Sequence, residues 1–300
     1  MSINTGMNHP VHPPVDYMKR PAPVRLLRGL SHLLPGEYLK TAFYLNCIDK
    51  PRRMLRDALF AFYRYDHVYT VLQEFAQLPA EQRFSILEFG TSDGYSFVKL
   101  LYATRYLRLQ DRVKVHTFDS FEGMPSSSDL RDRNWASGDD WAPGQFRGNY
   151  HALNEYCSRR YSNYEIHRGY FEDSITSAFL ASLAEYPPVL IWVDCDYYTS
   201  AKTVLTRLLN WIPNGAVIYF DDLDNLNYGS RLTGEARLVH EINTGVLDEH
   251  VELVPDPRLS LYSRRIYRFL KIPPNQMLFQ PEAPNEPDQV RSRSDGSPLP

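Results

Sequence analysis

Cysteine is scarce in this chain. Cys47, Cys157 and Cys195 are the only three in 300 residues. The odd count and the wide spacing exclude a disulfide framework and a thiolate zinc site, and they suit a reducing compartment. No excess of basic charge is present either. Lys and Arg number 33 against 36 Asp and Glu, a net charge of −3, so the electrostatic case for nucleic acid or an anionic membrane is absent. No apolar run approaches the ~20 residues of a membrane helix. Met1 to Arg20 is polar, without the apolar core of a signal peptide. No internal repeat is visible. These absences lead to an expectation of a cytoplasmic protein that handles a small or neutral molecule.

The length suits one large domain or two modest ones, with enough chain to bury a sizeable core. Residues 1–22 and 273–300 are rich in proline and polar side chains and are expected to be disordered tails. Between them, residues 23–83 repeat apolar side chains at helical spacing. Leu26, Leu27, Leu30, Leu33 and Leu34 form one set; Met54, Leu55, Ala58, Leu59 and Phe62 a second; Val68, Val71, Leu72 and Phe75 a third. This stretch is expected to be a helical extension, serving as a lid or as the surface of a homo-oligomer.

From residue 84 to 272 the pattern alternates. Strands are expected at Phe84–Phe89, Val113–Phe118, Tyr164–Arg168, Val189–Val193, Ala216–Phe220, Val251–Val254 and Ser263–Phe269. The last two flank Pro255-Asp256-Pro257 and read as an antiparallel pair. Helices are expected at Tyr95–Leu107, His151–Arg160, Ala201–Ile212 and Glu235–Ile242. Repeated β–α units imply an α/β, Rossmann-like fold, with a mainly parallel sheet and helices on both faces.

In such a sheet, ligands gather at the carboxyl ends of the strands. The first strand runs into Glu88-Phe89-Gly90-Thr91-Ser92-Asp93-Gly94 and then into a helix. A strand, a glycine turn and a helix present backbone N–H groups to a nucleotide-like ligand. The spacing is Glu-x-Gly-x-x-x-Gly rather than the Gly-x-Gly-x-x-Gly of dinucleotide enzymes, which points to S-adenosyl-L-methionine. The candidate cradle is Glu88, Gly90, Thr91, Ser92, Gly94 and Ser96.

Every later strand end also carries an acid. Asp119-Ser120-Phe121 follows the second, and Asp119 could accept from both ribose hydroxyls. Phe171 and Asp173 follow the third. Phe121 or Phe171 could stack on adenine and Asp173 could accept from its amino group, with core packing the alternative for both rings. Asp194 and Asp196 follow the fourth, with Asp194 assigned to the cofactor side. Asp221 and Asp222 follow the fifth. Asp196, Asp221 and Asp222 together would hold a hard divalent cation such as Mg²⁺. The alternative is a helix-capping Asp196 beside a solvated acidic turn that continues to Asp224.

Residues 84–243 resemble the macrocin O-methyltransferase family of metal-dependent sugar O-methyltransferases. The likeness runs through Glu88-Phe89-Gly90, Asp119-Ser120-Phe121-Glu122-Gly123-Met124-Pro125 and Gly169-Tyr170-Phe171-Glu172-Asp173-Ser174. It continues through Asp194-Cys195-Asp196-Tyr197-Tyr198, Pro213-Asn214-Gly215 and Asp221-Asp222. The resemblance implies a class I methyltransferase fold with a seven-stranded sheet, S-adenosyl-L-methionine, Mg²⁺ on Asp196, Asp221 and Asp222, and Asp196 as general base. It implies a hydroxyl of a sugar or glycosylated small molecule as acceptor. Two departures stand out: Cys195 replaces the usual glycine spacer, and Asn214 replaces a glycine in the turn. Residues 126–150 are this chain's own, and Trp135 and Trp141 within them are candidates for stacking on a sugar ring. Rival readings are a catechol or phenol acceptor, and a non-catalytic protein that binds S-adenosylmethionine. The Arg159–Arg160 and Arg264–Arg265 pairs read as solvated faces, and His116 reads as structural.

Overall fold

The computed structural model describes residues 66–275, apart from 137, 139, 225–226, 257 and 260–264, together with positions 26, 30, 33 and 34. The two expected tails and most of the expected helical extension lie outside the described residues. Seven strands form one sheet in the order β3-β2-β1-β4-β5-β7-β6. They are β1 Phe84–Phe89, β2 Val113–Asp119, β3 Tyr164–Arg168, β4 Pro188–Val193, β5 Val217–Phe220, β6 Val251–Pro255 and β7 Ile266–Lys271. The first five pair in parallel, while β7 runs antiparallel to both β5 and β6. The helices are α1 Asp66–Ala76, α2 Tyr95–Tyr106, α3 Tyr150–Ser158, α4 Phe171–Ser174, α5 Ser177–Ser182, α6 Tyr198–Leu208 and α7 Gly234–Asn243.

The strands at the centre explain the uninterrupted apolar runs. Every residue of β1, β4 and β5 is buried, which requires cover on both faces. Of the expected extension, α1 buries Val68, Val71, Leu72 and Phe75 at its predicted positions. His67 of α1 stacks on Trp192 and Tyr219 of β4 and β5, and Glu74 pairs with Arg268 of β7 at 2.7 Å. The short helices α4 and α5 were not expected. Both are too brief for a helical period to show, and α5 is started by Thr176, whose hydroxyl accepts from the Phe179 N–H.

Because paired residues of neighbouring strands share a face, the register sorts the polar side chains of the core. Thr117, Glu88, Trp192 and Tyr219 are successive partners across β2, β1, β4 and β5 and lie on one face. His116, Phe118, Glu165 and His167 lie on the other face of the β2–β3 edge.

Candidate active site

The glycine turn after β1 is held by the acid that ends β2. Asp119 Oδ2 accepts from the Thr91 and Ser92 N–H groups at 2.8 and 2.9 Å, and Oδ1 accepts from the Phe121 N–H at 2.5 Å. Three backbone donors thus converge on one carboxylate, which locks the two ligand-facing loops together. Beneath them Glu88 is fully buried. Its Oε2 accepts from the Thr117 hydroxyl at 2.5 Å, and Thr117 in turn contacts the Thr91 hydroxyl. Burial pushes Glu88 up to about 8, against the lowering effect of hydrogen bonds from Ser96 and Thr117. It is therefore a protonated, neutral side chain at pH 7.

Gly90 has φ +97°, and a Cβ there would lie 1.7 Å from the Asp194 carbonyl oxygen. Only glycine lets the ends of β1 and β4 approach this closely. Gly94, at φ +81°, starts α2 against Leu153. Of the remaining expected cofactor residues, Ser96 is buried in α2, and Ser120 accepts from the Glu122 N–H at 3.1 Å. Phe121 is buried edge-on to Tyr150, and Phe171 is half-buried edge-on to Phe89. Asp173 is exposed on α4. Ser92 in the glycine turn and Ser120 after β2 are partly open to solvent, and the Asp173 carboxylate is open on α4. Such acceptors suit the hydroxyl, amine and sulfonium groups of S-adenosylmethionine.

The acids after β4 and β5 meet. One carboxylate oxygen from each of Asp194, Asp221 and Asp222 lies within 4.8 Å of the others. Asp196 comes within hydrogen-bonding reach of Asp222. Burial, then the Asp222, Asp194 and Asp221 carboxylates, push Asp196 well above the usual carboxylate range. Its backbone sits at φ 58°, a left-handed conformation that non-glycine residues adopt at a cost. Mutually repelling acids in this number form a donor set for a hard divalent cation, and the site fits Mg²⁺ on that ground.

These residues frame a recognisable class. A methyltransferase-domain family model matches residues 87–223. The chain carries an S-adenosylmethionine-dependent methyltransferase domain. Its fold is similar to that of the calicheamicin methyltransferase CalS11, with TM-score 0.51 and 18% identity over 83% of this chain and 91% of that one. The O-methyltransferase NovP is also similar, with TM-score 0.50 and 16% identity over 69% of this chain and 79% of that one. A sequence comparison with curated proteins finds no match.

Around the acids, the methyltransferase has supporting groups that sequence reading missed. The Trp192 N–H points to Asp194 Oδ2 at 3.4 Å, and the Tyr219 hydroxyl donates to Asp221 Oδ1 at 2.6 Å. Each aromatic sits two residues before the acid it serves, on the same face of its strand. Within a wholly apolar run neither looks functional. Glu235, in the first turn of α7, is fully buried; its Oε2 accepts from the Asp222 N–H at 3.0 Å. Burial, then the Asp222 carboxylate, push it well above the ordinary value. An acid in a first helical turn ordinarily reads as a dipole partner, which hid it.

Arg265 overturns the expectation of a solvated face. It is 2% exposed, donates to the Asp221 carbonyl, and lies 3.9 Å from the Asp221 carboxylate and 3.6 Å from that of Asp224. It places a cation beside the acid cluster from the residue just before β7. The adjacent Arg264 lies outside the described residues.

The loop over residues 126–150 is fastened over the same edge. Met124 pairs with Gly144 and Gln145 through backbone bonds at its base. Asp132 accepts from the N–H and the hydroxyl of Thr199 at 3.0 and 2.7 Å. Asn227, just past the Asp221–Asp222 turn, donates to the Arg133 carbonyl and accepts from the Ala136 N–H. Trp135 is 58% exposed and hydrogen-bonded to the Leu130 carbonyl, while Trp141 is half-buried against Phe146. The Tyr197 hydroxyl reaches the Trp141 carbonyl at 3.5 Å, which ties the loop to the strand end that carries Asp196.

Proposed function

We propose that the protein is a Mg²⁺-dependent O-methyltransferase acting on a hydroxyl of a sugar or of a glycosylated small molecule. The observation that carries this reading is the meeting of Asp194, Asp196, Asp221 and Asp222 at the carboxyl ends of β4 and β5. A binding protein without catalytic function gains nothing from so costly a cluster. In this reading Asp194, Asp221 and Asp222 hold the cation, with Asp196 beside them. When bound, the cation supplies Lewis-acid stabilisation of charge on the acceptor oxygen, and S-adenosylmethionine supplies the methyl group as a sulfonium.

The chain's own residues do the rest. Asp196 takes the hydroxyl proton; burial and its acidic neighbours hold its proton affinity above that of an ordinary carboxylate. The Tyr219 hydroxyl and the Trp192 N–H fix the carboxylates they touch. Asp119 sets the glycine turn, so that the donor is presented in line with the acceptor, where positioning supplies much of the rate. A sugar acceptor is supported by the exposed Trp135 on the fastened loop, and transfer to an oxygen fits the fold shared with the O-methyltransferase NovP. A cytoplasmic setting is supported by the buried free thiols of Cys157 and Cys195.

The test is transfer of radiolabelled methyl from S-adenosylmethionine to a panel of sugars, glycosides and catechols, with and without Mg²⁺. Glycosides are labelled, EDTA abolishes transfer, and Mg²⁺ restores it. Undiminished transfer after EDTA overturns the metal; turnover confined to catechols overturns the acceptor.

A further inference from the structure

Far from the acid cluster, a second group of ligand-type side chains converges on the opposite face of the sheet. His116 of β2 and His167 of β3 point ring nitrogens at each other, Nδ1 to Nε2, at 3.0 Å. Glu165 pairs directly with His116 across the two strands, and its carboxylate oxygens lie 3.8 Å from His116 Nδ1 and 3.9 Å from His167 Nε2. Strand alternation places Glu165 and His167 on one side of β3, facing His116.

The rings are held in place. His167 stacks on Phe118 at 4.2 Å with planes 6° apart, and Phe179 of α5 packs edge-on against His116, His167 and Phe118. His116 is 2% exposed and the Glu165 side chain 48%, so the group has a dry floor and a wet mouth. Burial pushes His116 down to about 3, with His167 and Lys114 adding to the effect, and it lowers His167 as well. Both rings are thus neutral at pH 7, the form that ligates metals.

We propose that His116, His167 and Glu165 form a binding site for a zinc-type transition-metal ion, separate from the catalytic acids. Two imidazoles and a carboxylate are a known zinc donor set that leaves a further position for water. On a tetrahedral zinc, ligand atoms are about 3.3 Å apart. The two ring nitrogens lie 3.0 Å apart, and one donor atom from each of the three side chains lies within 4.8 Å of the others, so side-chain shifts of about an ångström reach that spacing. The borderline imidazole nitrogens favour zinc-type ions over Mg²⁺, which suits the oxygen-only cluster. One competitor is present: Lys114 Nζ holds Glu165 Oε2 at 2.8 Å. The pair is exposed and weak, and Oε1 faces His167 independently of it. An ion here would clip the edge strand β3 to β2, whose end carries Asp119.

The probe is Co²⁺, added to the full chain after EDTA and desalting, with saturating Mg²⁺ present to occupy the acid cluster. The expected result is a visible absorption band of four-coordinate cobalt, saturating at one ion per chain. At a hundredfold excess over Kd the unfolding midpoint rises by about 5 °C. His167→Gln and Glu165→Gln each weaken cobalt binding at least tenfold, and Asp222→Asn leaves it unchanged. Circular dichroism and S-adenosylhomocysteine binding check that the variants are folded. Absence of the band, equal cobalt affinity in a folded His167→Gln chain, or loss of binding in Asp222→Asn overturns the proposal.

Discussion

Glu88→Gln separates the charge of a buried acid from its shape. Glu88 is inaccessible to solvent, and burial raises it from an ordinary 4.5 to about 8. The folded state therefore binds a proton that the unfolded chain releases throughout the interval between those values. Stability falls as pH rises across that window, at about 1.4 kcal/mol per pH unit, and levels off above the folded value. The full displacement amounts to roughly 5 kcal/mol, an upper figure because the interior relaxes around a charge. Glutamine keeps an oxygen for the Thr117 hydroxyl and has nearly the shape of the protonated acid. Urea unfolding at pH 5, 7 and 9, followed by far-ultraviolet circular dichroism, gives the difference directly. Near pH 5 the variant and the parent are expected to differ little. By pH 9 the variant is the more stable by a few kcal/mol. A difference independent of pH, or a variant that loses ground as pH rises, refutes the reasoning.

Other substitutions reach the neighbouring parts. Tyr219→Phe removes the 2.6 Å bond to Asp221 and leaves the ring in place; Mn²⁺ affinity by calorimetry is expected to fall about tenfold with little change in melting temperature. Asp119→Asn weakens the clamp on Thr91, Ser92 and Phe121; hydrogen exchange at the first two amides speeds up, and S-adenosylhomocysteine affinity falls about tenfold or more. Gly90→Ala drives a methyl group into the Asp194 carbonyl at a φ that alanine resists; a loss of about 3 kcal/mol or more is expected in denaturant titration. Asp222→Asn is expected to cost at least about a hundredfold in methyl transfer, with S-adenosylhomocysteine binding retained.

Much of the architecture was legible because strands buried on both faces write themselves as apolar runs. Phe84–Phe89 has the predicted limits for this reason; Tyr164–Arg168, a part-exposed edge strand, also has its predicted limits, and the other strands differ by a few residues at their ends. The acids were legible for a related reason: each one directly follows such a run, so the chain marks the carboxyl edge of its own sheet. Trp192 and Tyr219 were not, because an aromatic in a buried strand has the same pattern whether or not its polar atom is used. Arg265 was not, because a charged pair beside a turn signals solvent unless the fold covers it. Glu235 and the His116–Glu165–His167 group were hidden for the same kind of reason: what they do depends on a partner tens of residues away.

By itself the sequence determined the alternation of strand and helix, the glycine turn and the acid at each strand end, since these follow from local pattern and from backbone positions that demand glycine. Only the tertiary structure decided which acids meet. It drew Asp194 in beside Asp221 and Asp222, spent the Asp119 carboxylate on backbone amides, and sealed Arg265 and Glu235 beneath the cluster. Carboxylate interactions act over a few ångströms, and separations of that size are set by strand order and register, which no local pattern encodes.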